Sequence, residues 1–192
     1  MKLEFKEARK KVWSVDLNLD MSYENIVKEF EAEDWIFREK KDTGRRDYVQ
    51  NIKSPVLKQI YDYAVSDQAK IDLINNFYTF KGIEHLYGGL SADEMFTRTK
   101  LRGRFHKCMK GYELGPHLDH RLHVGTMIFY FTNGDIPEWS TYYYTTEDKK
   151  DQYRMPTGLG KGTCHINDHD TWHYACNFFE EPRYNLIIGL FL

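Results

Sequence analysis

Two residues near the middle of the chain have the types and the spacing to bind a metal ion. His117 and Asp119 are separated by one apolar residue, and residues i and i+2 of an extended strand point to the same face. An imidazole and a carboxylate therefore converge on one point. Two ligands hold a metal ion only loosely, so a third must come from elsewhere in the fold. Three ligands on one face of an octahedral metal ion leave the other coordination positions open for further ligands.

A second group of histidines lies closer to the C-terminus, where His165, His169 and His173 recur at every fourth residue. A helix over residues 165–173 would place all three on one metal-binding stripe. The segment between His165 and His173 is a poor helix former, however, and three glycines precede it at positions 158, 160 and 162. We therefore predict a strand that ends in a turn, with His169 in the turn or at a rim.

The elements around these residues are predicted to be strands. From residue 98 onward the apolar pattern approaches a period of two. Residues 104–110, 124–132 and 183–192 are the clearest strands, and Asn133-Gly134 marks a turn after the second of them. Residues 142–146 form another candidate strand, followed by a charged run at residues 147–151 that we interpret as a solvent-exposed loop.

The first half of the chain is predicted to be mainly helical, after a short strand at residues 11–17. Ser22 has the character of an N-cap for a helix over residues 23–32, and Ser54-Pro55 opens a second helix. Residues 67–77 predict a third, with Ile71, Ile74 and Phe77 facing inward, and residues 91–94 match a capping box for one short turn. Helices followed by strands indicate an α+β protein with a helical layer on one face of a sheet.

The order of these features resembles the 2-oxoglutarate and Fe(II)-dependent dioxygenases. A strand carries a pair of ligands, more strands follow, then a histidine, and then Arg183 opens a terminal apolar strand. The closest likeness is to the small prolyl-hydroxylase-like branch, and it covers residues 98–192. It implies a double-stranded β-helix, or jelly-roll barrel, with the N-terminal helices on one sheet. Residues 1–192 would then form one domain, with residues 1–97 as mainly helical support and residues 98–192 as the barrel core.

The resemblance also implies roles for individual residues. His117, Asp119 and His173 would bind Fe(II), and Arg183 would pair with the distal carboxylate of the co-substrate 2-oxoglutarate, since a guanidinium matches a carboxylate in a bidentate manner. Asn185 shares a strand face with Arg183, and many members of the family have serine or threonine there.

Strand parity places Thr126 on the same face as Tyr130, and we predict that both line the co-substrate pocket together with Asn185. The resemblance implies that Tyr130 touches the co-substrate carboxylate. The alternative is that Tyr130 only fills the barrel interior.

The reaction that the resemblance implies is hydroxylation of an unactivated C–H bond, with molecular oxygen consumed and succinate and carbon dioxide released. A prolyl side chain, free or in a peptide, is the first candidate substrate, and other small molecules or peptides remain open. Residues 134–155 are the least family-like and would form either a substrate lid or a packed outer strand. Two other functions are alternatives: a cupin-like barrel with different metal chemistry, and a non-catalytic binding module.

Composition narrows the other possibilities. The formal net charge of the 192 residues is -2, and the basic clusters at residues 6–11 and 38–46 contain acidic neighbours, so we interpret both as solvated surface and do not expect nucleic-acid binding. No apolar run approaches the roughly 20 residues that span a bilayer. Three cysteines without a CxxC pair, and no signal-peptide pattern, favour a reduced, cytoplasmic compartment.

Overall fold

The computed structural model of the chain describes residues 1–40, 44–120, 122–146 and 151–192. The helices are α1 (Tyr23–Glu31), α2 (Pro55–Ala64), α3 (Asp67–Phe77), α4 (Ile83–Leu86), α5 (Ala92–Arg98) and a 3-10 turn at Pro137–Trp139. The strands of the first half are β1 (Glu4–Arg9), β2 (Val12–Asp16), β3 (Trp35–Ile36), β4 (Glu39–Lys40) and β5 (Gly44–Val49). Those of the second half are β6 (Lys100–Cys108), β7 (Tyr112–His117), β8 (His123–Phe131), β9 (Tyr142–Tyr144), β10 (Tyr153–Arg154), β11 (Lys161–Ile166), β12 (Trp172–Asn177) and β13 (Arg183–Phe191).

Serine caps start the four longer helices. The side chains of Ser22, Ser54, Ser66 and Ser91 each accept a hydrogen bond from the backbone N–H three residues further on. Each therefore satisfies one of the unpaired N–H groups of a helix N-terminus. The predicted helices are confirmed, including the bounds of α3 and the capping box between Ser91 and Glu94.

One inward-facing residue of α3 was predicted wrongly. Ile71 is 38% exposed, whereas Ala69, Leu73 and Phe77 are buried. These three are spaced four residues apart and lie on one face of the helix, and Ile71 lies on another. Ile74 and Phe77 are buried as predicted.

The strands form two antiparallel sheets. The large sheet has the order β1-β2-β11-β8-β13-β6-β5-β3, with β4 also paired to β5, and the small sheet has the order β10-β9-β12-β7. From β6 to β13 the chain passes back and forth between the two sheets. Neighbours in each sheet are therefore mostly distant in sequence.

The first half of the chain supplies strands as well as helices. The β1–β2 hairpin extends one edge of the large sheet through β11, and β5 extends the other edge through β6. The prediction of mainly helical support omitted all of these strands except β2. They are short and rich in charged residues, so their sequences lack the apolar alternation that marks a strand.

The large sheet separates two environments. Along β13, Tyr184, Leu186 and Ile188 belong to the hydrophobic core that includes the helices. One contact of this core is the stacking of Phe30 of α1 on Tyr184, with 4.6 Å between ring centroids. Arg183 and Asn185 point to the opposite face, toward the small sheet. No helix within the described ranges is long and apolar enough to span a membrane.

Candidate active site

Strands β7 and β12 of the small sheet bring two of the predicted metal ligands together. His117 and His173 are directly opposed in the antiparallel register of these strands. Asp119 lies two residues beyond the end of β7. One potential ligand atom from each of the three residues lies within 4.8 Å of the others. The structure therefore places the predicted triad at one point.

Hydrogen bonds orient both imidazoles for metal binding. Nδ1 of His117 lies 2.9 Å from the carbonyl of Gly115, and Nδ1 of His173 lies 3.1 Å from that of Thr171. Because a carbonyl only accepts, each Nδ1 carries the proton and each Nε2 presents its lone pair.

The distances from the carboxylate to both histidines are within the limit for binding one metal ion. Oδ1 of Asp119 lies 3.9 Å from Nε2 of His117 and 3.7 Å from Nε2 of His173. Two ligands that bind one metal ion at about 2.1 Å each are at most about 4.2 Å apart. Burial lowers the pKa of His173 to about 3, so this imidazole is neutral, as a metal ligand must be.

The carboxylate of Asp119 is held so that one oxygen faces the histidines. Its other oxygen, Oδ2, accepts a hydrogen bond from the Thr126 hydroxyl at 2.5 Å and lies 3.2 Å from Nε2 of His165. Burial opposes ionisation of this carboxyl, but the hydrogen bonds from His165 and Thr126 hold its pKa well below its usual range. Oδ1 is left for a metal.

His165 belongs to a buried chain of hydrogen bonds that supports Asp119. A carboxylate only accepts, so Nε2 of His165 carries a proton. Its Nδ1 lies 2.8 Å from the hydroxyl of Tyr143, which in turn accepts from the Thr163 hydroxyl at 3.1 Å. Burial raises the pKa of Tyr143 well above its usual value, so Tyr143 keeps its proton and donates to Nδ1. Sequence reasoning gave His165 no special role, because its pairing with Thr126 across β11 and β8 is a long-range feature.

We expect His165→Phe to weaken metal binding about 10- to 100-fold, the usual cost of losing a residue that orients a ligand. The substitution keeps a buried ring but removes the donor to Asp119. Co(II) titration followed by absorbance measures the affinity, and His169→Phe serves as the matched control because His169 is exposed. His165→Gln should restore part of the affinity, since an amide can donate to the carboxylate. Equal affinity in His165→Phe and the unaltered protein would rule out this role.

A cavity of about 260 Å³ opens beside the triad, between the two sheets. It is lined from the large sheet by residues of β5, β6, β8 and β13, and from the small sheet by residues of β7 and β12. Arg183 lies on its wall and is only 2% exposed. One guanidinium nitrogen donates to the carbonyl of Cys176 at 3.3 Å, and Nε has no hydrogen-bond partner among the described residues.

The structure places the other predicted co-substrate residues around Arg183 and Asp119. Asn185 lines the cavity, and its Oδ1 accepts no hydrogen bond from the residues that the structure describes. Thr126 also lines the cavity, but its hydroxyl is engaged by Asp119. Tyr130 is fully buried, its ring lies 5.4 Å from the Arg183 guanidinium carbon, and its hydroxyl donates to Thr141 at 2.7 Å.

Unpaired polar atoms concentrate in this cavity. Among the described residues, five buried side-chain nitrogen or oxygen atoms lack a hydrogen-bond partner. Four of them belong to cavity-lining residues, namely His106, His123, Arg183 and Asn185. Buried polar groups without partners cost free energy. These atoms are therefore available to form hydrogen bonds with a polar ligand or with water in the cavity.

Two further cavity residues were missed by sequence reasoning. Arg46 falls in the basic cluster that we interpreted as solvated surface, and His106 was assigned no role. Both line the cavity, because β5 and β6 pair with Tyr48 opposite His106 and Arg46 opposite Cys108. The interpretation of Arg46 as surface is therefore wrong, and only the strand pairing reveals its position.

The two other candidate histidines, His120 and His169, lie outside the triad. His120 and His169 are exposed, and a turn separates β11 from β12, so the helical histidine stripe is ruled out. Within residues 134–155, Tyr142–Tyr144 form β9 next to β12, and Trp139 is buried with its Nε1 donating to Asn177 at 3.0 Å. The predicted charged loop lies outside the described residues at positions 147–150.

Comparison with known proteins identifies the fold. No protein-family model matches the chain, and no curated protein matches its sequence. The structure is similar to the α-ketoglutarate-dependent epimerase SnoN from nogalamycin biosynthesis, with a TM-score of 0.59, 14% identity, and coverage of 95% of this chain and 79% of that one. It is similar to a prolyl-4-hydroxylase from Pseudomonas putida, with a TM-score of 0.59, 11% identity, and coverage of 96% and 94%.

A third similar structure is the collagen prolyl hydroxylase of Paramecium Bursaria Chlorella virus-1 with 2-oxoglutarate bound, with a TM-score of 0.55, 9% identity, and coverage of 94% of this chain and 96% of that one. The chain therefore has the fold of the 2-oxoglutarate and Fe(II) oxygenases, and the resemblance seen in the sequence is confirmed at the level of the fold.

Proposed function

We propose that this chain is an Fe(II)- and 2-oxoglutarate-dependent dioxygenase that hydroxylates an unactivated C–H bond and releases succinate and carbon dioxide. The observation that carries the proposal is the meeting of the His117, Asp119 and His173 ligand atoms beside a cavity that contains the buried Arg183. Two imidazoles and a carboxylate are the donor set of non-haem Fe(II) oxygenases. An arginine with an unpaired buried Nε is a partner for a carboxylate.

Each proposed residue has a distinct task. His117, Asp119 and His173 would hold the iron, which together with 2-oxoglutarate supplies the activation of molecular oxygen. Arg183 would fix the distal carboxylate of 2-oxoglutarate, and Asn185 lines the same cavity. Thr126 would act chiefly by orienting Asp119, and Tyr130 by packing beside Arg183. Residues of both sheets would enclose the bound co-substrate.

The double-stranded β-helix remains part of the proposal. Its support is that the eight strands β6–β13 are divided equally between two facing antiparallel sheets, as in a jelly roll. We also propose that the whole chain acts as one oxygenase domain, in which the first half widens the large sheet and covers its outer face. A prolyl side chain is the first candidate substrate, since two of the similar structures are prolyl hydroxylases.

Release of succinate from 2-oxoglutarate tests the proposal. Protein supplied with Fe(II), ascorbate and 2-oxoglutarate should form succinate slowly by itself and faster with an accepted substrate. Omission of Fe(II) or oxygen should stop the reaction. Metal binding without any effect of 2-oxoglutarate on the metal spectrum would contradict the proposal and favour a barrel with other metal chemistry.

A further inference from the structure

Two arginines lie in one row of the large sheet and face the same cavity. Arg46 of β5 is the register partner of Cys108 of β6, and Cys108 is the register partner of Arg183 of β13. Adjacent strands are about 4.8 Å apart, so the backbones of the two arginines are separated by about 10 Å. Arg183 is buried and Arg46 is half-buried. The cavity therefore offers one deep guanidinium and one nearer to solvent.

Arg46 is fixed in position and has no carboxylate partner among the described residues. Within the described part of the chain, its side chain donates to the Tyr112 hydroxyl at 3.1 Å and lies over the Tyr112 ring, and no carboxylate pairs with it. The backbone of β5 is anchored to the turn after β6, where the N–H of Met109 donates to the carbonyl of Arg45 at 3.0 Å. The guanidinium is thus held at the cavity wall and has further N–H donors available for a ligand.

The charges of the proposed active site do not balance, and one further negative charge would neutralise them. Arg46, Arg183 and a divalent metal ion would carry four positive charges, whereas Asp119 and the dianion of 2-oxoglutarate would carry three negative ones. His106 adds no charge, because burial, reinforced by the neighbouring arginines, lowers its pKa to about 3. A buried site with one unbalanced positive charge favours a monoanionic ligand.

On the basis of the proposed function, we propose that the substrate is a small molecule with one free carboxylate, and that Arg46 binds this carboxylate beside the unpaired Nδ1 of His106. The small cavity, part of which 2-oxoglutarate would fill, suits a small acid better than a peptide chain. A carboxylate also fits the single missing charge better than a phosphate monoester, which carries nearly two.

Binding of matched acid and amide pairs tests this inference without turnover. Protein loaded with Mn(II) and saturating 2-oxoglutarate is titrated by calorimetry with N-acetyl-L-proline, other N-acetylated amino acids and simple aliphatic acids. Each acid is compared with its amide, and inorganic phosphate is a further probe. At least one acid should bind at millimolar concentration and clearly better than its amide.

Variants then assign the effect to Arg46. Arg46→Leu should weaken binding of that acid roughly ten- to a hundredfold, as expected for loss of hydrogen bonds to a charged group. The affinity of Arg46→Lys for the acid should lie in between, because lysine keeps the positive charge but cannot bind a carboxylate through two parallel hydrogen bonds. Arg104→Leu removes an exposed positive charge near His106 that does not line the cavity, and it should bind the acid normally.

Four results would overturn the inference while leaving the proposed function intact. In the first, no acid binds better than its amide, and in the second, phosphate binds better than every acid. In the third, Arg46→Leu binds the acid as well as the unaltered protein does. In the fourth, Arg46→Leu loses as much affinity for 2-oxoglutarate as for the acid. The last result would assign Arg46 to the co-substrate. Failure of the unaltered protein to bind 2-oxoglutarate in the presence of Mn(II) would instead remove the proposed function and this inference together.

Discussion

Arg183→Leu is expected to retain metal binding and to lose most of its affinity for 2-oxoglutarate. Arg183 is almost completely buried, and the triad residues make no hydrogen bond to it. A carboxylate buried without its charged partner costs about 2–5 kcal/mol, or roughly thirtyfold to several thousandfold in affinity. Titration of the Fe(II) protein with 2-oxoglutarate under anaerobic conditions, followed by charge-transfer absorbance, measures this loss.

Arg183→Lys is the matched variant for this prediction. It keeps the positive charge but cannot form a bidentate pair, so its affinity should lie between those of the unaltered protein and Arg183→Leu. An unchanged 2-oxoglutarate titration in Arg183→Leu would exclude Arg183 from the co-substrate site. Arg46 would then be the remaining guanidinium on the cavity wall.

His173→Ala and Asp119→Ala are each expected to abolish succinate formation and to weaken metal binding by more than the roughly 10- to 100-fold expected for loss of a supporting residue. Each removes one of three converging ligand atoms. Asp119→Ala also leaves the donors of Thr126 and His165 without their acceptor. Equilibrium dialysis against Fe(II) or Mn(II) gives the affinities, and circular dichroism verifies that each variant is folded.

His120→Ala and His169→Ala provide the controls for the ligand assignment. Both side chains are exposed, and neither contributes an atom to the triad. Both variants should bind metal and form succinate like the unaltered protein. A loss in His169→Ala as large as that in His173→Ala would contradict the assignment of the third ligand.

The longer helices and the longer strands of the second half were predictable because their signals are local. Serine caps mark the starts of the four longer helices, and β8 and β13 are nine residues long and rich in β-branched and aromatic residues. The flanking strands were less predictable, because β3, β4 and β5 owe their structure to pairing at the edge of a sheet that already exists. Ile71 shows a similar limit, since several helical stripes of α3 are apolar and tertiary packing selects one of them.

The residues of the site also differ in how well the sequence predicts them. The spacing of His117 and Asp119 is visible in the sequence, and the triad follows once the order of strands suggests His173. His165 and Arg46 have no local signal, because each reaches the site through cross-strand pairing with a residue more than 35 positions away. A histidine in a strand and an arginine in a charged run are ordinary features until the sheet order is known.

The β1–β2 hairpin makes the charged strand β1, rather than β11, one edge of the large sheet. It covers the edge of β11, a strand with five of six residues buried, and an uncovered edge of this kind is a template for pairing with another chain. The buried Lys11 that follows β1 also forms ion pairs with Asp168 and Asp170, in the turn that leads to His173. A variant shortened to begin after residue 16 would therefore be prone to aggregate and would lose an anchor of its metal ligand, so an affinity tag is better joined at a site that leaves this hairpin paired.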